Sequence, residues 1–123
     1  MPSTEPRGPR QIARAMVWSI KGLRAAWTHE ASFRLEVYLS LFLFPAGLWL
    51  GQGAVEKSVL CGSLVLVLSA ELLNSAVEAV VDKVSPEFHE LAGRAKDMGS
   101  AAVMLLMLNV MLCWGLILWQ RFS

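Results

Sequence analysis

ELLNSAVEAVVD at residues 71–82 places charged and amide side chains at the end of a segment that is otherwise apolar enough to lie in a bilayer. At about 100° per residue, its polar side chains fall on one stripe that covers roughly a quarter of the helix circumference. They are Glu71, Asn74, Ser75, Glu78 and Asp82. Ionised side chains cost several kcal/mol in hydrocarbon, so the stripe must face the protein interior, a cation or a water-filled cleft. We therefore predict a functional site on this helix.

The composition of the chain is that of a small membrane protein. It has 123 residues, of which 55% are hydrophobic, and this is too short and too apolar for an ordinary soluble enzyme with a deep core. The net charge of +1 argues against a nucleic-acid partner bound by phosphate neutralisation. Because so short a chain can barely enclose a substrate, we expect any catalytic pocket to need a neighbouring subunit.

Three apolar runs, at about 37–55, 58–81 and 98–119, are long enough to cross the hydrocarbon as helices. Residues 10–28 instead predict a basic amphipathic helix in the membrane surface, although a helix packed on a cytosolic partner would show the same pattern. Residues 1–9, rich in Pro and Gly, are expected to be flexible. Ser85, Pro86 and Glu87 predict the start of the last helix. The sequence thus predicts a single all-α membrane domain, residues 1–123, with three transmembrane helices and an N-terminal surface helix.

Lys and Arg residues predict the orientation of these helices. Six precede the first span and three lie between the second and third, whereas the opposite side has only Lys57 and Arg121. The positive-inside tendency therefore places the N-terminus in the cytoplasm and the C-terminus on the opposite side. In this orientation the acidic stripe ends near the cytoplasmic face, where nucleotides are.

The polar residues are of the types that phosphoryl transfer needs. Carboxylates can hold a divalent cation, cations can neutralise phosphate, and a base can accept the proton of the attacking hydroxyl. Glu71 lies about 10 Å deeper along its helix than Glu78, so Glu78 suits a metal ligand and Glu71 suits a base that meets a lipid hydroxyl. The chain has no P-loop and no protein-kinase motif. The residues alone therefore leave open both catalysis and an ion or proton pathway.

Three motifs closely resemble the prokaryotic diacylglycerol kinases, a small integral-membrane family. They are ELLNSAVEAVVD at 71–82, HELAGRAKDMGSAAV at 89–103, and KGLRAAW at 21–27 followed by Glu30-Ala31-Ser32-Phe33-Arg34. The resemblance covers nearly the whole chain from about residue 10. It implies a homotrimer in the bacterial cytoplasmic (inner) membrane that uses ATP with Mg²⁺ to convert diacylglycerol to phosphatidic acid.

The resemblance also implies roles for individual residues. Glu71 corresponds to the general base, and Glu30 and Glu78 to the carboxylates that hold the nucleotide's metal ion. Nucleotide contacts are implied for Arg10, Trp18, Glu30, Glu78, Glu87, His89, Lys96 and Asp97. Lipid contacts or the pocket rim are implied for Ser32, Phe33, Arg34, Leu35, Glu36, Glu71, Asn74 and Ser100.

The sequence departs from the family pattern in the surface helix. The family arginine that contacts nucleotide falls at Gln11, with Arg10 one residue away, and a shift of one residue rotates a side chain by about 100°. The second aromatic of this helix is replaced by Ile20. Asp82, at the end of the acidic stripe, is expected to pair with Lys83 or Arg94. Two alternatives remain: a kinase of the same family that acts on undecaprenol, and a non-enzymatic transporter or ion conductor.

Overall fold

The structure, a computed structural model, describes residues 8–87 and 89–123, and its regular elements over these residues are four α-helices. They are α1 (Pro9–His29), α2 (Ala31–Leu50), α3 (Gly53–Val84) and α4 (Glu90–Phe122). The prediction of an all-helical chain with three long apolar helices is confirmed. Residues 1–7, which we expected to be flexible, lie outside the described residues, and Pro9 is already the first residue of α1.

A sharp corner at Glu30 joins α1 to α2. Glu30 has an extended backbone, with φ −116° and ψ 104°, and it ends α1 and caps α2. The Arg34 guanidinium donates hydrogen bonds to the carbonyl oxygens of Trp27, at 2.7 Å, and Thr28, at 3.1 Å, which α1 leaves unpaired at its end. The rings of Trp27 and Tyr38 pack edge to face across the corner. The C-terminal part of α1, where Ala26 is buried, is therefore held against the other helices.

The turn between α2 and α3 consists of Gly51 and Gln52. Gly53 follows with φ +82°, a conformation that glycine adopts without the steric cost of a Cβ atom. The Glu56 carboxylate accepts a hydrogen bond from the backbone N–H of Gln52 at 3.0 Å and closes the turn. The predicted first span, 37–55, therefore extends five residues past the end of α2, into the turn and the start of α3.

The core lies where α3 packs against α2 and α4. Along α3 the buried positions Leu60, Leu64, Val67 and Glu71 recur at intervals of three or four residues, which is the spacing of one helix face. The indole N–H of Trp114 on α4 is shared between the carbonyl oxygen of Leu60 and the hydroxyl of Ser63, at 3.2 Å each. Glu71 thus lies on a packing face of α3 whose other buried residues are apolar, except for Ser63.

The start of α4 differs from the prediction. The helix begins at Glu90, and the Nδ1 atom of His89 accepts a hydrogen bond from the N–H of Leu91 at 3.1 Å as its cap. Ser85 instead ends α3, since its N–H bonds to the carbonyl of Val81 at 2.7 Å. The predicted start at Ser85–Glu87 is therefore wrong, because the serine hydroxyl is used within the loop, where it donates to the carbonyl of Glu87.

Helices α2, α3 and α4 are each long enough, and over part of their length apolar enough, to cross a membrane. Their outward faces carry large apolar side chains such as Phe42, Trp49 and Leu105. With 32 and 33 residues, α3 and α4 are each roughly 50 Å long, so they extend beyond a hydrocarbon layer of about 30 Å. The polar ends of α3 and α4, around the 85–89 loop, are therefore expected at the membrane surface.

Candidate active site

The predicted base, Glu71, meets a second carboxyl group inside the protein. Glu71 is 7% exposed, and its carboxyl group lies close to that of Glu36 of α2, which is 9% exposed, so either one can donate a hydrogen bond to the other when it is protonated. A hydrogen bond between two carboxyl groups requires a proton on one of them. The Oε2 atom of Glu36 is buried and has no hydrogen-bond partner among the described residues. Phe33, one turn before Glu36, is buried as well.

Asn74 lies one turn after Glu71 on α3. Its side-chain oxygen is buried and has no hydrogen-bond partner within the described part of the chain. Gly99 of α4 lies against this oxygen. Glu71, Glu36 and Asn74 therefore form a polar cluster at the junction of α2, α3 and α4.

A cleft of about 660 Å³ separates α1 from α3. Glu30 lines it from the corner between α1 and α2, and Ser75 lines it from the acidic stripe of α3. Small side chains such as Ala26, Ala76 and Ala79 make up much of the remaining wall. Its volume lies within the range of ligand pockets, about 300–1,000 Å³. The structure thus brings one predicted metal ligand, Glu30, to a cleft on the α1 side of the stripe.

A second cleft, of about 150 Å³, lies between the end of α3 and the start of α4. Three of the predicted nucleotide-binding residues, Glu87, His89 and Lys96, line it together with Asp82. The Lys96 ammonium forms an ion pair with the Asp82 carboxylate at 2.6 Å. The expected pairing of Asp82 with Lys83 or Arg94 is therefore wrong.

The acidic side chains near this second cleft affect the pKa of Lys96. The hydrogen bond to Asp82 raises the pKa of Lys96, and the charge of the half-buried Glu78 acts in the same direction. Lys96 lies in the second turn of α4, before the apolar part of that helix begins at Met98. Arg94 has a different partner, because its guanidinium pairs with Glu90 at 3.3 Å within the same helix. The ion pair with Asp82 therefore favours the charged form of Lys96, and Glu78 adds to this effect.

Other predicted residues lie apart from these clusters. Arg10 and Trp18 are exposed on α1, and Arg10 is separated from Glu30 by nearly the full length of that helix, roughly 30 Å. Arg34 holds the corner between α1 and α2, as described above. The remaining predicted residues are exposed: Ser32, Leu35, Asp97 and Ser100.

Few side chains in the structure lie where they could bind a metal ion together. Among residues 8–87 and 89–123, no three His, Cys, Asp or Glu side chains lie close enough together to hold an ion. Mg²⁺ is commonly bound by one or two carboxylates together with water and substrate phosphates. The predicted ligands Glu30 and Glu78 carry hard oxygen donors, the type that Mg²⁺ prefers, and an ion that arrives with a nucleotide does not need a cage built from protein side chains alone.

Two relationships in the site could not be found from the pattern of the stripe. Glu36 was predicted to contact the lipid or form the pocket rim, yet the structure places it beside Glu71. One feature of the sequence did indicate a partner, because an ionisable side chain near the start of an apolar helix needs one. The ion pair of Asp82 with Lys96 joins residues on two helices, and no local spacing indicates it.

The family model and the relatives found by comparison with known proteins agree with one another. A family model described as prokaryotic diacylglycerol kinase matches residues 17–118. The chain is 46% identical over 116 residues to the diacylglycerol kinase of Escherichia coli K12, covering 94% of this chain and 95% of that protein. It is 42% identical over 111 residues to the diacylglycerol kinase of Haemophilus influenzae, covering 90% and 94%. It is 40% identical over 111 residues to that of Pseudomonas aeruginosa, covering 90% of each chain.

Proposed function

Because the chain belongs to the prokaryotic diacylglycerol kinase family, we propose that it transfers the γ-phosphoryl group of ATP to the free hydroxyl of diacylglycerol, with Glu71 as the general base. Family membership identifies the chain as an enzyme of this class, a phosphotransferase that acts on a lipid alcohol. The observation that carries the assignment of the base is the contact between the buried carboxyl groups of Glu71 and Glu36.

In the proposed reaction, Glu71 accepts the proton of the lipid hydroxyl as its oxygen attacks the γ-phosphorus of ATP. The bond from the γ-phosphorus to the bridging oxygen breaks, and phosphatidic acid and ADP leave. A general base accepts a proton in its carboxylate form, and the neighbouring carboxyl group of Glu36 is close enough to hold Glu71 in position. The burial of both groups supports this role, since water competes poorly for a base that is 7% exposed.

The nucleotide end of the site is proposed to form around the 85–89 loop. Lys96 would contact the phosphates, and Glu87 and His89 line the same cleft. Glu30 and Glu78 would hold the nucleotide's Mg²⁺. When bound, Mg²⁺ neutralises charge on the transferring phosphoryl group. Arg10, Trp18 and Asp97 would complete the nucleotide contacts, and Ser32, Phe33, Arg34, Leu35 and Ser100 the lipid contacts, with Asn74 beside the base.

The position of the protein in the cell is part of the proposal. We place it in the bacterial cytoplasmic (inner) membrane, with its N-terminus and 85–89 loop in the cytoplasm and its C-terminus on the opposite side. Helix α1 would lie in the membrane surface, and the assembly would be a homotrimer. The wide apolar faces of α2, α3 and α4 support contact with lipid and with neighbouring subunits.

The function can be tested with purified protein in lipid micelles. Radiolabelled ATP and Mg²⁺ are supplied with either diacylglycerol or undecaprenol, and the labelled lipid product is identified. We expect labelled phosphatidic acid. Labelled undecaprenyl phosphate as the main product would refute the substrate assignment. Ion flux through vesicles that contain the protein, without transfer to either lipid, would favour a conductor.

A further inference from the structure

Gly99 on α4 lies directly against the side chain of Asn74 on α3. A Cβ atom added at Gly99 would overlap the side-chain oxygen of Asn74 and would come within 3.3 Å of its Cγ atom. The next nearest atom, the Cα of Asn74, would be 3.8 Å away, an ordinary van der Waals distance. The helix backbones therefore leave room for a methyl group, and the conflict is confined to the carboxamide of Asn74.

The orientation of that carboxamide is of consequence for the site. Its oxygen is buried without a hydrogen-bond partner among the described residues, so its capacity to accept a hydrogen bond is unused. Glu71 lies one turn earlier on α3, and side chains three residues apart on a helix are neighbours. Rotation of the carboxamide would move a polar group beside the proposed base without disturbing the packing of the two helices.

We propose that Gly99 is a positioning residue for the phosphoryl transfer: the absence of a side chain there leaves the space that the Asn74 carboxamide needs to keep its orientation beside Glu71. The inference rests on the proposed function, because Glu71 and Asn74 must take part in the reaction for their geometry to matter. Gly99 itself contacts neither substrate in this proposal and acts through Asn74.

The chain offers a matched control in the same helix. A Cβ atom added at Gly115 of α4 would have no atom within 4 Å apart from its chain neighbours and the backbone of its own helix. Gly99→Ala and Gly115→Ala both replace a helical glycine and gain the same helix propensity, so their comparison isolates the contact with Asn74. We expect Gly99→Ala to lower kcat on the order of a hundredfold, as small misplacements in active sites do, with KM values changed far less. Gly115→Ala should keep wild-type kinetics.

The double variant Asn74→Ala/Gly99→Ala tests whether Gly99 acts through Asn74. Removal of the carboxamide removes the overlap, so Gly99→Ala should cause no further loss of kcat and no further fall in Tm when Asn74 is already alanine. The Tm comparison does not depend on activity and can be made even if Asn74→Ala is inactive.

Three results would overturn the inference alone. They are wild-type kcat in a folded Gly99→Ala protein, wild-type kcat in Asn74→Ala, and losses from Gly99→Ala that are as large in the Asn74→Ala background as in the wild type. A wild-type chain that phosphorylates no diacylglycerol would overturn the proposed function as well.

Discussion

Replacing Glu71 with Gln tests the proposed base with the least disturbance of the fold. Gln has nearly the size of Glu, and its amide group can still form a hydrogen bond with Glu36, so the contact between α2 and α3 survives. What is lost is the acceptor for the proton of the lipid hydroxyl. Glu71 is 7% exposed, so a water molecule cannot readily take its place.

The expected effect is large. A positioned general base contributes about a hundredfold to ten-thousandfold to the rate. Such a loss corresponds to roughly 3–5 kcal/mol in the activation free energy, at about 1.4 kcal/mol for each factor of ten. We expect Glu71→Gln to lose turnover by this factor, while binding of the nucleotide and the thermal midpoint stay close to wild type.

The assay follows transfer of label from ATP to diacylglycerol at saturating substrate, with nucleotide binding and thermal unfolding measured on the same preparation. Glu36 provides the comparison, since Glu36→Gln keeps a donor toward Glu71 whereas Glu36→Ala does not. Loss of a hydrogen bond to a charged group costs about 1.5–3 kcal/mol, so Glu36→Ala should be slower by roughly tenfold to a hundredfold and Glu36→Gln much less affected. Near-normal turnover in a folded Glu71→Gln variant would refute the assignment of the base.

Three further predictions concern the nucleotide end of the site and the assembly. Glu30→Gln and Glu78→Gln should each shift the Mg²⁺ dependence of the rate and should combine less than additively, because they are proposed to hold one ion; an unchanged Mg²⁺ dependence in both would exclude them as ligands. In Asp82→Asn, stability should change little, since the side chains of the pair with Lys96 are 63% and 41% exposed, whereas the KM for ATP should rise up to about fivefold; a lower KM would indicate that Asp82 competes with phosphate for the lysine. Mixing inactive Glu71→Gln chains with inactive Lys96→Leu chains should restore activity if the two residues of one site come from different subunits; mixed oligomers without activity would place both in one chain.

The helices could be predicted from the sequence because their signal is local. Runs of about twenty apolar residues identify α2, α3 and α4 whatever their neighbours are. Boundaries were less predictable, because they depend on individual hydrogen bonds. Ser85 has the residue type and the following proline of a helix start, yet its N–H is needed to end α3, and His89 caps α4 instead. A capping residue and a helix-ending residue can look alike until their partners are known.

The site was predictable only where its residues share one helix. The stripe from Glu71 to Asp82 follows from the helical period, but the period does not say which neighbour each side chain meets. In the structure Glu71 meets Glu36 of α2, Asn74 lies against Gly99 of α4, and Ser75 faces α1. These contacts depend on how the four helices pack, which no spacing within one segment specifies. A glycine such as Gly99 carries no chemical signal in sequence, since its importance lies in the atoms it lacks.

The distribution of polar residues around α3 also bears on the assembly. Glu30 lines the cleft on the α1 side of the stripe, whereas Lys96 and Asp82 meet on the α4 side. Arg10, at the far end of α1, is roughly 30 Å along the helix axis from Glu30, farther than direct contact with one phosphate group allows. Within one chain, the residues proposed for the nucleotide therefore do not surround a common point. A second chain packed on the exposed face of α4 could bring its own α1 toward the 85–89 loop of the first, and this is the physical reason to expect the complete site at a boundary between subunits.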